Sequence, residues 1–346
     1  MSGTANRNDE ALITGSLTQS QSDISSLIEP YRRELHLHCY RLLGSLHDAE
    51  DMVQETLLRA WRSFDTFKGQ SSLRTWLYTI ATNASLDALK KRLPRTLPVV
   101  SSPETPIFHQ PLPRTTEALW LEPFPDTWLA EATENPEARY TRSESVSLAF
   151  LTALQLLPPR QRAILILSDV LDWRASEISH LLEITVSAVN SALHRARVTL
   201  EKHYHTDQRE RAQVHSADAE THTLLSRYVH AWETDDVAGL VALLKEDAIF
   251  SMPPIPSWYR GREAIRALLL ERFGPQNRWC LYPTRANGQP AFVIYRSKGS
   301  GDPYAPFGIQ VVTLTDSQQQ SEIAEITVFL SPSLFTAFGF PLQLPQ

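Results

Sequence analysis

Proline placement constrains this chain more than any other feature. None occurs from residue 31 to 93, a stretch long enough for several uninterrupted helices. Pro94, Pro98, Pro103, Pro106, Pro111, Pro113, Pro123, Pro125 and Pro136 then follow in quick succession. A run of that kind breaks regular structure and is too long for a loop inside one domain. Residues 93–140 therefore read as a linker. Helical periodicity resumes over 141–204, a polar stretch covers 205–217, and a segment of different texture runs from 218 to 342.

The first segment, 24–92, carries two amphipathic patterns. Ala49, Met52, Val53, Thr56, Leu57, Ala60, Trp61 and Phe64 recur at three- and four-residue spacing and form one apolar stripe. Asp48, Glu50 and Asp51 sit in that helix's first turn, where carboxylates complement the helix dipole. Asp51, Gln54, Glu55 and Arg62 occupy the opposite face. That face is either an ordinary solvated surface or a docking surface for a partner. A second helix starts after Gly69, with Ser71 or Ser72 as N-cap. Leu73, Leu77, Ile80, Ala81, Ala84 and Ala88 face inward. Arg74, Tyr78, Asn83, Asp87, Lys90 and Lys91 are expected on its exposed side, with Arg92 just beyond. Phe64, Phe67, Trp76 and Tyr78 interleave with these charges. Rings beside cations suit unstacked bases, since every base has a π-face and a nearby phosphate. The competing reading places Phe64 and Trp76 in the core.

In the third stretch, Pro158-Pro159 opens a helix. A second helix runs from Arg174 to about Leu182, a short turn covers Glu183 and Ile184, and Thr185 caps a third. This is the layout of a helix-turn-helix, whose last helix enters the major groove. Its early exposed residues are Val186, Ser187, Ala188, Asn190 and Ser191, followed by His194 and Arg195. Asn suits adenine edges, Arg suits guanine or phosphate, and Ser suits either. Arg197 and Lys202 are expected on phosphates. A helical protein-interaction bundle is the alternative. The net charge of −6 does not favour nucleic-acid binding overall, so the case rests on local basic clusters.

Two of these stretches resemble bacterial sigma factors. The ordered run Asp48-Ala49-Glu50-Asp51-Met52-Val53-Gln54-Glu55-Thr56, Arg59-Ala60-Trp61, Phe67-Lys68-Gly69, Leu73-Arg74-Thr75-Trp76-Leu77-Tyr78 and Leu86-Asp87-Ala88-Leu89-Lys90-Lys91-Arg92 resembles sigma region 2 of the extracytoplasmic-function class. Leu157-Pro158-Pro159-Arg160-Gln161-Arg162, Glu177-Ile178 and Val189-Asn190-Ser191-Ala192-Leu193-His194-Arg195-Ala196-Arg197 resemble region 4. The resemblance implies that Asp51, Gln54 and Glu55 dock on core RNA polymerase. It also implies that the second helix and the loop before it read the proximal (minus-ten) promoter element, and that the helix-turn-helix reads the distal (minus-thirty-five) one. One departure is Glu183, where this family often has glycine. In the linker, Trp120-Leu121-Glu122-Pro123-Phe124-Pro125-Asp126 is unusually aromatic for a spacer, as in a sigma subgroup with a C-terminal extension.

That extension begins with helical patterns over 220–244 and 261–273. Strand patterns follow the first of these at 247–252 and then run over 278–286, 290–298, 307–315 and 322–330. Asp247-Ala248-Ile249-Phe250 ahead of Tyr259-Arg260-Gly261-Arg262-Glu263-Ala264-Ile265 is similar to SnoaL-like, ketosteroid-isomerase-like domains. The expected architecture is thus multidomain: two all-α DNA-binding modules and a C-terminal α+β cone. Tyr228, Trp232, Phe250, Trp258, Tyr259, Trp279 and Tyr295 are candidates to line a pocket for a small molecule. Asp247, His230, Glu322 and Glu325 show no spacing that marks an acid–base pair. No catalytic residue, metal or cofactor is expected. Cys39 and Cys280 alone make no disulfide framework, and the polar N-terminus (1–23) reads as a disordered tail of a cytoplasmic protein. Two rival functions remain: a free-standing helix-turn-helix regulator, which has no use for region 2, and a SnoaL-type enzyme with a DNA-binding appendage. An anti-sigma partner stays open.

Overall fold

A computed structural model describes residues 26–67, 69, 71–90, 92–106, 119–130, 145–204, 219–274, 276–299, 301–317 and 320–344. The expected tail at 1–23, the linker at 205–217 and Lys91 lie outside them. The chain divides into two compact units. One comprises the residues up to Pro94 together with Leu154–Leu200; the other comprises Arg95–Ala153 together with Glu201–Gln346. Among the described residues no helix is long and apolar enough to cross a membrane.

In the first unit, α1 (Arg32–Leu43), α2 (Leu46–Ser63) and α3 (Leu73–Leu89) form a bundle. The Ser45 hydroxyl accepts the Asp48 N–H at 3.1 Å and so caps α2. Ser72 does the same for α3 through Thr75 N–H at 3.1 Å. Leu35, Leu42, Val53, Ala60, Leu77 and Ala81 are wholly buried between them. Each such leucine contributes roughly 1.5–3 kcal/mol. One sequence expectation fails here: Trp61, assigned to the buried stripe, is 42% exposed.

The helix-turn-helix packs in the same unit. α5 (Pro159–Leu165) widens into a π-helical turn over Ile166–Val170, and α6 (Ala175–Leu182) and α7 (Val186–Tyr204) follow. Thr185 caps α7 by accepting the Ala188 N–H at 3.1 Å. Glu183 closes α6 in the left-handed region, φ +52°, so this turn keeps the geometry glycine would favour and accepts its strain. Arg162 on α5 is 1% exposed. Its guanidinium donates to Leu42 O at the end of α1, to Gln155 Oε1 (2.7 Å) and O (3.1 Å), and to Leu157 O (3.2 Å). Gln155 ends α4 (Leu148–Gln155).

The second unit is built on a six-stranded sheet, on which three helices pack. α8 (Ala219–Glu233), α9 (Val237–Ala242) and α10 (Arg262–Arg272) pack on β1 (Leu244–Ser251), β2 (Trp258–Arg260), β3 (Arg278–Ala286), β4 (Gln289–Ser297), β5 (Ala305–Ser317) and β6 (Gln320–Phe329). The strand order is β2-β1-β6-β5-β4-β3, antiparallel except for β1 beside β6. This is the expected cone. Five of its strands lie where alternation placed them; β2 has only three residues and escaped notice.

The described parts of the proline-rich segment are irregular apart from two short helices, Pro98–Ser101 and Asp126–Ala130, and they are fastened to this sheet at both edges. Thr105 exchanges hydrogen bonds with the Trp258 backbone on edge strand β2 (2.9 and 3.1 Å), and the Trp258 indole donates to Ser102 O at 2.9 Å. At the other edge, Asn287 forms the β3–β4 turn with φ +56°. Its Oδ1 accepts the Phe124 N–H (2.8 Å), its Nδ2 donates to Val146 O (2.6 Å), and its own N–H donates to Phe124 O (2.9 Å). Asp126 Oδ1 accepts the Gly288 N–H at 2.9 Å. Burial pushes the Asp126 carboxyl up from its ordinary range, offset in part by that N–H and by Arg285.

Asn287→Ala should therefore leave buried Phe124 N–H and Val146 O unpaired and put a Cβ-bearing residue in the left-handed turn without its local hydrogen bonds. The expected cost is about 2–4 kcal/mol in urea unfolding of the full chain. An unchanged unfolding midpoint would contradict this account of the clasp.

Candidate nucleic-acid interface

The helix that the sequence assigns to the major groove is α7. Val189 and Ala196 are fully buried and Ala192 nearly so, which fixes the helix on its neighbours. Val186, Ser187, Ala188, Asn190, Ser191, His194, Arg195 and Lys202 are all exposed along the opposite side. These are the residues the sequence assigned to the distal element, gathered on one face. Arg197 is exposed too, yet its guanidinium is committed: it pairs bidentately with Asp169 at 2.7 and 3.0 Å. The expectation of a phosphate contact there meets a competing partner 28 residues back in the chain.

In the three-helix bundle, Phe64, Phe67 and Trp76 form a half-buried aromatic trio. Their centroids lie 5.0 Å (Phe67–Trp76), 6.3 Å (Phe64–Trp76) and 6.4 Å (Phe64–Phe67) apart. They flank the loop between α2 and α3 and are neither wholly core nor wholly surface. Asn83, Asp87, Lys90 and Arg92 are exposed as expected; Lys90 pairs with Asp87 at 2.8 Å and Arg92 with Asp48 at 2.5 Å. The exposed Lys90–Asp87 pair is worth at most about 1 kcal/mol, whereas the Asp48 side chain of the other pair is only 14% exposed.

Tyr78 is a correction. It was placed on the exposed side, but it is 2% exposed and its hydroxyl donates to Glu34 Oε2 at 3.2 Å. Burial pushes that hydroxyl's pKa well up, so it stays protonated. Arg74 sits over the Tyr78 ring at 4.7 Å and pairs with Glu34 at 2.9 Å. Trp173, just before α6, meets the other part of that ring at 6.1 Å between centroids. Tyr78 is thus a packing residue and no base-stacking platform. Glu34, its partner, lies 44 residues away, a separation no local pattern reveals.

On α2, Asp51 and Gln54 are exposed; Gln54 Nε2 donates to Glu50 at 3.1 Å. Glu55 is half-buried and accepts from Arg59 Nε at 2.7 Å. Leu58 and Trp61, 48% and 42% exposed, continue the same face by one and two turns. Two bare apolar side chains thus lie beside an acidic and amide patch.

The pocket candidates divide. Tyr228, Trp232, Phe250, Tyr259 and Trp279 belong to the apolar core inside the cone. Tyr295 and Trp258 do not. Cross-strand register puts Tyr295 opposite Cys280 and Trp258 opposite Ser251, while their strand neighbours Ile294 and Tyr259 point into the core. Tyr295 packs against Phe335 and its hydroxyl donates to Pro341 O at 2.7 Å. Strand alternation therefore removes both from the pocket.

Comparison with known proteins agrees with this geometry. The profile for sigma-70 region 2 matches residues 27–93, that for sigma-70 region 4 matches 147–200, and that for the SnoaL-like domain matches 225–322. The extracytoplasmic-function (ECF) RNA polymerase sigma factor SigG of Mycobacterium tuberculosis is 42% identical over 331 residues, covering 94% of this chain and 86% of its own. The chain belongs to the ECF sigma factors. The Bacillus subtilis factor SigW is 28% identical over 53% of this chain and 89% of its own. The crystal structure of M. tuberculosis SigJ is 22% identical with a TM-score of 0.55, covering 92% of this sigma factor and 99% of that chain, which shows a shared fold.

Two buried histidines give the first module of this sigma factor a pH signature. Burial lowers His36 to about 4 and His38 to about 3, from 6.5. Both are neutral in the folded state at pH 7. Below pH 6.5 the unfolded chain takes up protons that the folded histidines refuse, so stability present above 6.5 is lost as pH falls toward 4 and 3. Each should cost about 2 kcal/mol between pH 6.5 and 5. Urea unfolding at both pH values measures this, and His38→Gln should reduce the slope by about half. A midpoint independent of pH over that range would refute it.

Proposed function

We propose that this chain is the promoter-recognition subunit of a bacterial RNA polymerase, gripping DNA at two points. The observation that carries the reading is the ordered pair of region 2 and region 4 folds in one chain that is 42% identical to a named ECF sigma factor. Core polymerase docks on α2 through Asp51, Gln54 and Glu55, with Leu58 and Trp61 extending the surface. The proximal element is opened at the α2–α3 loop by the Phe64, Phe67 and Trp76 trio, with Arg74, Asn83, Asp87, Lys90, Lys91 and Arg92 alongside. The distal element is read by α7: Ser187, Asn190, Ser191, His194 and Arg195 on base edges, Lys202 on phosphate. Arg197 holds α7 through Asp169 and reaches phosphate only if that pair opens. The site of action is the cytoplasm, where polymerase and chromosome meet.

Magnitudes add a condition. The two promoter elements are about 25 base pairs apart, roughly 85 Å of duplex. A compact unit of about 140 residues has a radius of gyration near 14 Å. The two modules share one unit, so they must separate to hold both elements. We assign control of that step to the C-terminal cone, acting as a regulatory rather than a catalytic domain. Supporting this, no carboxylate or histidine among the described residues of that unit is fully buried. Asp247 pairs with Lys245 at the surface, and Glu322 with Arg262. General acid–base work needs such a group inside a water-excluded site.

A pull-down with core polymerase followed by run-off transcription tests the main reading. Promoter-dependent transcripts are expected; core binding without transcripts from any promoter would overturn it. Asn190→Ala should cost about 1–3 kcal/mol at one base position, whereas Lys202→Ala should weaken all sites and lower the salt slope by about one. Deleting residues 210–346 should change the transcript yield; an unchanged yield defeats the regulatory role.

A further inference from the structure

The helix-turn-helix carries a counter-charge beside its DNA-facing surface. Ser187, Asn190, His194 and Arg197 of α7 are spaced three or four residues apart and are all exposed, so they share one face. Arg197 stands two helical turns beyond Asn190, roughly 10 Å along the axis. On that face it starts from a place that suits a phosphate contact. Its guanidinium is nevertheless taken: Nε and Nη2 donate to Asp169 Oδ2 and Oδ1 at 3.0 and 2.7 Å. Arg195 and Lys202 on the same helix have no ion-pair partner among the described residues.

Asp169 comes from the π-helical turn Ile166–Val170, where the Leu171 N–H reaches back five residues to Ile166 O at 3.1 Å. Widened turns of this kind recur at functional sites. The pair is not what seats α7, since the buried Val189, Ala192 and Ala196 do that. Its side chains are 55% and 31% exposed, and a pair so open to solvent adds little to stability. Its consequence is electrostatic. A guanidinium bonded through two N–H groups to a carboxylate brings no net charge to the DNA face, and the fork that fits a phosphate is already filled.

We propose that Asp169 holds Arg197 off DNA phosphate, so that α7 meets the duplex with one phosphate contact fewer than its cations offer. Asp169 touches no DNA itself; it acts through Arg197 as a positioning residue. This rests on reading α7 as the distal-element helix, and it deepens that reading. Phosphate contacts add affinity without sequence information. The pair therefore subtracts hold from every duplex alike and leaves the base contacts of Ser187, Asn190 and Arg195 untouched. The module binds weakly by itself, and a lasting grip needs the proximal module and polymerase as well.

The test measures binding of the full chain to a short mixed-sequence duplex over about a four-fold range of salt. Each phosphate contact contributes a slope of about 0.9 in log affinity against log salt, or about a 3.5-fold loss across that range. Asp169→Asn and Asp169→Ala should each steepen the slope by about 0.9 and tighten binding at the lowest salt. Adding Arg197→Ala to Asp169→Asn should return the slope to that of the unaltered chain. Lys202→Ala serves as the control and should flatten it by about one. An unchanged slope in both Asp169 variants places Arg197 on phosphate already and overturns the proposal. A steepened slope that survives the loss of Arg197 overturns it too, as does weakened binding at an unchanged slope, the mark of a purely structural tie. In these three cases a flattened slope for Lys202→Ala keeps the distal-element reading. Lys202→Ala without effect, or no duplex binding by any of these proteins, sinks that reading and the proposal with it.

Discussion

The buried guanidinium of Arg162 is the contact on which the promoter-reading unit depends. Burying a cation costs several kcal/mol unless its protons are met. Here the terminal nitrogens are met by carbonyls at two helix ends, Leu42 in the last turn of α1 and Gln155 at the end of α4, joined by Leu157 O and the Gln155 side chain, while the Nε–H has no partner. Helix C-termini carry partial negative charge, so both dipoles favour the cation. Burial lowers its pKa to about 10, which leaves it charged at neutral pH. One side chain thereby ties the helix-turn-helix to the bundle that precedes it. The Tyr78–Trp173 ring contact adds a second tie.

Such a tie is well suited to a protein that must change state. A hydrogen-bonded charge is strong while dry and cheap to rehydrate once water enters. The proposed reading surfaces do not take part in it: the exposed face of α7 and the aromatic trio beside the α2–α3 loop stay outside the contact. Separation of the modules can thus proceed without rebuilding either surface. The clasp on the C-terminal sheet has the same economy. The side chains of Asn287 and Thr105 fasten the segment to the two sheet edges by accepting backbone N–H groups.

Much of this was legible in the residues. Ser45 and Ser72 caps, apolar spacing on α2 and α3, the Thr185 cap and alternation on β3 to β6 are local signals, and local signals decide local structure. The failures share a cause in distance along the chain. Tyr78 looks exposed by periodicity because Glu34, which receives its hydroxyl, is 44 residues away. Arg197 looks free because Asp169 belongs to another helix. Trp61 reads as core on hydrophobicity, yet it lies on the bare face with Leu58. The prolines mark a break in the long helices, but nothing in their spacing shows the short helices at Pro98–Ser101 and Asp126–Ala130 or says which sheet edge receives the segment.

The two-point grip is the central claim, and hydroxyl-radical footprinting of a promoter bound by core polymerase with this chain tests it most directly. The account predicts two protected patches on the duplex, centred about 25 base pairs or roughly 85 Å apart. Substituting Ser187, Asn190 and Arg195 together should erase the distal patch and leave the proximal one. A single protected patch, or a distal patch that survives that triple substitution, would contradict it.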